Sequence, residues 1–293
     1  MLPVWPLYWF SSAEGYRAVQ HAVSGVHLNV GRAAKIPFPL PPMPAQRRIA
    51  ALLDEYMANV GRARAAAEAQ VEAARALPAA YLREVFEGEE ARGWPRTRLG
   101  DLAVLVQNGI YKTAESYGRG LPLVRMYNLQ SHTWHLDLSH EARVAASNDE
   151  ARRYELAAGD LLVSRVNSFE LVGKCACAGS DVSGHVFENM VIRIRLSDAA
   201  DPVFVAQQMG TKGIKQQIQG VAKRAIGQAS INAADLRGLW LTLPPREVQE
   251  RVAALIDEQM AAVARARGAA DEQSALAQAL PPALLRRAFR GEL

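Results

Sequence analysis

Base edges are read by forked or amide side chains, and phosphates are held by Lys, Arg and small polar groups on loops. Three bursts of such residues stand out from apolar surroundings. The first is Gln107-Asn108-Gly109-Ile110-Tyr111-Lys112, where Gly109 permits a tight turn from which Tyr111 and Lys112 project; a solvated hairpin is the alternative. The second, Ser164-Arg165-Val166-Asn167-Ser168 with Lys174, ends an otherwise apolar strand, and the third is a basic turn, Lys223-Arg224-Ala225-Ile226-Gly227-Gln228. Arg125, Tyr127 and Asn128 lie at the end of another strand, where an Arg or Tyr also serves as a satisfied edge residue. The candidate nucleic-acid contacts are therefore Asn108, Tyr111, Lys112, Arg125, Asn128, Ser164, Arg165, Asn167, Ser168, Lys174, Lys223, Arg224 and Gln228. Each cation taken singly is equally at home as a solvated surface charge; their concentration in loops is the argument for an anionic partner.

Catalytic constellations are not found. The sequence has no Gly-rich phosphate loop ending in Lys-Ser or Lys-Thr and no Pro-Pro-aromatic motif of amino-methyltransferases. Asp160, Glu170 and Lys174 come nearest to a nuclease cluster, but Glu170 and Lys174 are too far apart and Asp160 follows a turn glycine. His132, His135 and His140 fit no standard ligand spacing, so neither a metal nor a cofactor is expected. Cys175 and Cys177, one residue apart, have poor geometry for a mutual disulfide and are too few for a structural zinc site, which suits a reducing cytoplasm.

The 293 residues are 49% hydrophobic and 22% charged, with a formal charge of +4, so disorder and fibrous repeats are excluded and an anionic partner is favoured only weakly. Apolar runs are too short to cross a bilayer. Met1 to Phe10 contains Pro3 and Pro6 and lacks a basic leader, so no signal peptide is expected.

The elements that must position the loops are revealed by a repeat at a constant offset of 203 residues. Pro41, Pro42, Gln46, Arg48, Leu52, Asp54, Met57 and Val60 recur as Pro244, Pro245, Gln249, Arg251, Leu255, Asp257, Met260 and Val263. Further along, Leu77, Pro78, Leu82, Phe86 and Gly88 recur as Leu280, Pro281, Leu285, Phe289 and Gly291. Each copy follows a Pro-Pro stop with a stretch rich in Ala, Arg and Glu, predicting one long helix broken only near Pro78 or Pro281. Steps of four and three through Ile49, Leu53, Tyr56, Val60, Ala63, Ala67, Gln70, Ala74 and Leu77 predict a coiled-coil seam, with Gln70 and Gln273 as equivalent polar positions. A helix of about 34 residues would be about 50 Å long, the span of roughly 15 base pairs.

Between the copies, Leu121 to Leu129, Gly159 to Val166, Glu188 to Leu196 and Leu239 to Leu243 read as strands, and a helical stretch follows Pro202. A loop spans Gly220 to Gln228, and Asn232 is an N-cap. The fold class expected is α+β: a mixed α/β domain flanked by two long helices, antiparallel because the termini of a compact domain lie close together. Gly25 to Pro42 resembles Gln228 to Pro245, with Leu28-Asn29 matching Ile231-Asn232 and Ile36 to Leu40 matching Leu239 to Leu243, so residues 1–43 read as the tail of a second such domain.

The Pro-Pro strand ends, the helix starts Gln46-Arg47-Arg48-Ile49 and Gln249-Glu250-Arg251-Val252, and the segments Trp94 to Leu102, Gly159 to Arg165 and Ala229 to Asn232 together resemble type I restriction-modification specificity subunits. The resemblance covers nearly the whole chain. It implies a tail of a first target-recognition domain at 1–43, a spacer helix at 44–93, a complete target-recognition domain at 94–245 and a second spacer helix at 246–293. In that family each recognition domain reads half of a split site in double-stranded DNA, and methyltransferase subunits dock along the helices. The restriction subunit joins through the complex, and Lys223 to Gln228 resembles a contact loop. The subunit itself is not an enzyme. This chain departs from the pattern in lacking the front of the first domain, which implies pairing with a second copy, pairing with another specificity chain, or a defective fragment. A coiled-coil scaffold that reads no DNA is the rival expectation.

Overall fold

The computed structural model describes residues 1–23, 30–130 and 133–292, so Gly25, Leu28, Asn29 and His132 lie outside the described residues. The chain divides into two compact units, one of residues 1–75 with 264–293 and one of residues 76–263.

The first unit contains α1 (Val4–Phe10), α2 (Ala13–Ala22), the short α3 (Val30–Ala33), the front of α4 (Met43–Glu87) and the end of α11 (Arg246–Phe289). Trp5 is its anchor: 1% exposed, it packs with Ile49 and Leu53 from the start of α4 and with Leu285 and Ala288 from the end of α11. The start of one long helix thus meets the end of the other, an antiparallel arrangement. Residues 36–40 form no strand, for no strand lies opposite them among the described residues.

The second unit is built on a four-stranded sheet in the order β2 (Ala103–Asn108), β9 (Val191–Leu196), β5 (Leu161–Ser164), β7 (Cys175–Cys177). All its neighbours are antiparallel. Its continuous apolar runs, Leu161-Leu162-Val163 and Val191-Ile192, are buried on both faces, which explains why they lack strand alternation. One face carries α8 (Pro202–Met209), α9 (Lys212–Val221) and the facing parts of the long helices, with Phe204, Ile192, Leu82, Phe86, Val252 and Ile256 in one core. The other buries Leu162, Ala176, Phe187 and Val191 with Leu129 and Leu156. Smaller sheets complete the unit: β1 (Arg96–Arg98) with β12 (Trp240–Thr242), β4 (Ala142–Val144) with β3 (Tyr117–Val124) and β8 (Val186–Phe187), and β10 (Lys223–Ala225) with β11 (Gln228–Ser230) and β6 (Val166–Asn167). Short helices lie in its connections: α5 (Glu89–Arg92), α6 (Leu99–Leu102), α7 (Asn148–Tyr154) and α10 (Ala233–Arg237).

Several expectations are corrected. The long helices pass through Pro78, Pro281 and Pro282 and run 45 and 44 residues. A proline inside a helix costs about 3 kcal/mol, and here the turns beyond it bury Leu82 and Phe86 or Leu285 and Ala288, which offsets that loss. On the seam, Ile49, Leu53, Val60, Ala67 and Ala74 are buried but Tyr56, Ala63, Gln70 and Leu77 face solvent; Met57 and Val71 turn inward instead. Gln273 is exposed as well, so neither glutamine sets register. Each long helix covers a globular core near its ends, which selects positions four rather than three residues on. The strand expected over Leu121 to Leu129 stops at Val124, where Asn128 accepts a bond from the Arg125 amide at 2.8 Å and closes a 3-10 turn. The helix after Pro202 is interrupted at Gly210, and Thr211 caps a second one. The loop Gly220 to Gln228 is largely a hairpin.

Candidate nucleic-acid interface

The hairpin β10–β11 carries the third basic cluster. Lys223 and Arg224 lie on β10, exposed along its length, and pair across with Ser230 and Ala229. Gln228 closes the two-residue tip, Ile226-Gly227, in which Gly227 takes a left-handed φ of +74°. The hairpin is rooted by β11, whose Ala229 is fully buried and pairs with Asn167 of β6. Two clusters more than fifty residues apart in sequence therefore share one sheet. The guanidinium of Arg224 stands 3.5 Å above the Phe169 ring, a cation–π contact that orients its fork.

Arg165 links this sheet to the rest. Its amide donates to Met190 O at 2.8 Å, its carbonyl accepts from the Ile231 amide at 3.0 Å, and its Nη1 lies 3.5 Å from Asn189 O. The 188–190 segment also touches the first cluster and the Arg125 group. Asn189 N donates to Ile110 O at 3.0 Å, and Glu188, 6% exposed, accepts from Arg125 Nε at 2.8 Å and from Met126 N at 2.7 Å. The buried Glu188 carboxylate holds the Arg125 guanidinium above its ordinary pKa, and the Tyr117 and Tyr127 rings flank it at 6.0 and 5.6 Å. Arg125, Ile110, Arg165 and the basic hairpin thus form one connected strip through Glu188, Asn189 and Met190.

The predicted residues divide along that strip. Asn108 is exposed at the end of β2, and Tyr111 is 75% exposed. Lys112 is paired with Glu150 at 2.7 Å, which holds that carboxyl below its usual range. Gly109 makes no tight turn: it is buried, and an added Cβ would lie 2.2 Å from Glu188 O, so glycine is required by backbone crowding. Asn128 is buried, donating from Nδ2 to Asp137 O at 2.6 Å and His140 O at 3.2 Å, and Ser164 is buried with its hydroxyl on Val166 O at 3.3 Å. These two side chains face inward. Asn167 and Ser168 are half-buried, the Asn167 Oδ1 accepting from the Ser168 amide at 2.9 Å. Lys174 has no ion-pair partner among the described residues, and burial lowers its pKa.

Asp160 is fully buried and takes a two-pronged contact from Arg195, at 2.7 and 2.8 Å, with Arg193 at 3.6 Å. Its carboxylate is occupied in holding β5 to β9. Cys175 and Cys177 are free and buried, and burial pushes the Cys177 thiol up to about 12. His135 lies 3.9 Å from Asp257. Among the described residues no group of three metal-ligating side chains gathers, and no helix is long and apolar enough to cross a membrane. Sequence reading missed Phe169, Glu188, Asn189 and Met190. Phe169 and Arg224 are joined only by the folding of β6 against β11, which no local signal carries; Glu188 was visible only as the first residue of an expected strand.

No family model matches the chain. It is 24% identical over 300 residues to the specificity subunit of the type I restriction enzyme EcoKI of Escherichia coli K12, and 25% identical over 301 residues to that of StySPI of Salmonella potsdam. Each match covers 97% of this chain, and the chain spans 64% of the length of these relatives. Among solved structures, a chain of a type I restriction-modification system aligns over 99% of this chain and 72% of its own, with a TM-score of 0.76 at 22% identity. The HsdS subunit of Thermoanaerobacter tengcongensis aligns over 99% of this chain and 70% of its own, with a TM-score of 0.63 at 22% identity. Along 97% of its length the chain is thus similar in sequence to type I restriction enzyme specificity subunits, and it shares the fold of these two solved structures, long helices with a mixed sheet domain.

Proposed function

We propose that the chain is the non-catalytic DNA-reading subunit of a type I restriction-modification complex, recognising one half of a split site through residues 94–245. Residues 44–93 and 246–293 act as spacer helices on which methyltransferase subunits dock, the restriction subunit joining through them. Residues 1–43 are the closing part of another recognition domain of the same kind. The observation that carries this reading is the connected strip from Tyr111 and Arg125 through Arg165 to Lys223 and Arg224, partly or fully exposed polar side chains on strands and strand ends rooted in a buried core. Phosphate contacts by the lysines set position, while Arg224, Arg165, Asn108, Asn167 and Gln228 are of the types that read base edges. Asn128 and Ser164 support those loops from within.

Co-expression with the cognate methyltransferase subunit, followed by mapping of methylated adenines, tests it. A split motif modified by the wild type and lost in the Lys223→Ala, Arg224→Ala double variant is the expected result. A complex that assembles yet modifies nothing would leave the helices as a scaffold and overturn DNA reading.

A further inference from the structure

We propose that Ile226 is a wedge that enters the base stack of the bound duplex and kinks it, so that part of the sequence preference comes from the ease of unstacking one step. This rests on the DNA-reading function proposed above. Ile226 is 104% exposed, the most exposed large hydrophobic side chain among the described residues. It occupies the first position of the two-residue tip, carried by a strand pair that is rooted in the domain through the buried Ala229 and its pairing with Asn167. The left-handed Gly227 behind it adds no side chain that could cover it. Cations stand directly below on β10, where Lys223 and Arg224 are placed for phosphates or base edges while Arg224 is braced on Phe169.

An apolar side chain at a hairpin tip with cations beside it has the form of the side chains that part base steps: the basic residues hold the backbone and the apolar group takes the place of a stacking neighbour. Two-stranded ribbons also fit a DNA groove. Unstacking is easiest at pyrimidine–purine steps, so the recognised half-site should contain TA or CA/TG where the tip lands, at a position that no hydrogen bond reads.

The test uses the full chain with its methyltransferase partner and the duplex it selects from a randomised pool. 2-Aminopurine, which brightens when unstacked, is placed at each position in turn. Wild type and Ile226→Leu should raise fluorescence at one pyrimidine–purine step, while Ile226→Ala loses the rise and binds about tenfold more weakly, the cost of one mismatched pair. Replacing that step by a stiff purine–purine step should weaken the wild type and leave Ile226→Ala indifferent. A tightly bound duplex with no brightened position overturns the wedge and leaves DNA reading intact; failure to select any duplex overturns both. If Ile226→Ala keeps the fluorescence but releases the methyltransferase subunit, Ile226 is a protein-docking residue and the wedge is again overturned.

Discussion

The start of the chain and the segment after Asp201 are two versions of one small module, and they differ in what surrounds them. In both, an aromatic residue of a short helix wedges between the start of one long helix and the end of the other: Trp5 meets Phe289 at 5.0 Å and 62°, Phe204 meets Phe86 at 5.2 Å and 61°. Both modules tie that helix down with the repeated glutamine. Gln46 donates to Pro41 O at 2.7 Å and accepts from Leu2 N, and Gln249 donates to Pro244 O at 2.7 Å and accepts from Asp201 N. A hydroxyl then caps the next helix, Ser12 on Gly15 N and Thr211 on Ile214 N. One module adjoins the four-stranded sheet within its unit; the other sits in a unit that has no sheet among the described residues. The geometry common to both is therefore set by capping and helix packing, and the sheet is added to it.

The largest test is at the two aromatics. Trp5→Ala and Phe204→Ala each remove a side chain no more than 1% exposed and should cost about 3–5 kcal/mol. Hydrogen exchange resolved by peptide separates the units. Faster exchange confined to residues 1–75 and 264–293 in the tryptophan variant means that the first module stands on its own packing; loosening of the sheet as well would show that it does not.

The two glutamines differ in how many partners they hold, and so in how much their loss should cost. Gln249 is 1% exposed and reaches Ala199 O at 3.0 Å in addition to the proline carbonyl and the backbone amide that both glutamines engage. Gln249→Ala should cost about 2–3 kcal/mol and Gln46→Ala about 1–2, because each buried partner left unpaired adds its desolvation penalty. Urea midpoints of the two variants should fall in that order, and the reverse order would show that the module leans on its glutamine more where the sheet is absent.

The caps come next. Thr211→Ala and Ser12→Ala remove one acceptor each from a helix start and should each cost about 1 kcal/mol, read as a shift in thermal midpoint. A negligible effect at Ser12 alone would place α2 outside the module.

Half of this kinship was legible in the sequence. The long helices repeat at one register because Pro-Pro stops, the bridging Gln and helix-forming residues must recur to rebuild the same element, and Asn232 could be read as an N-cap that the structure closes with Asp235. The module itself was not legible: Trp5 with Phe204, Ser12 with Thr211 and Tyr8 with Gln207 share shape or bonding capacity but not identity. The candidate site behaved alike. Polar bursts marked Arg165 and Lys223 to Gln228, yet the Phe169 platform and the Glu188 brace depend on strand pairings between distant segments, and the short two- to four-residue strands that make them carry too little alternation to be placed from pattern.

The two modules should also differ slightly in their stability in alkali. Tyr8 donates to Asp54 where Gln207 donates to Asp257 at 2.9 Å, so one module holds this helix with a titratable phenol and the other with an amide that does not titrate. Burial, and then the Asp54 carboxylate, push the Tyr8 pKa from 10.0 to about 12. The neutral phenol is the form the fold favours, so its contribution is complete below pH 10 and is lost as pH rises towards 12. Cys175 and Cys177 in the other unit also lose protons in strong alkali, so the informative quantity is the difference between wild type and Tyr8→Phe. Their urea midpoints, measured from pH 9 upwards, should converge as the phenol ionises, because the variant has no hydroxyl and so no bond to lose. A constant gap would mean that Asp54 does not hold the phenol, and that the first module is fixed by Trp5 and Gln46 alone.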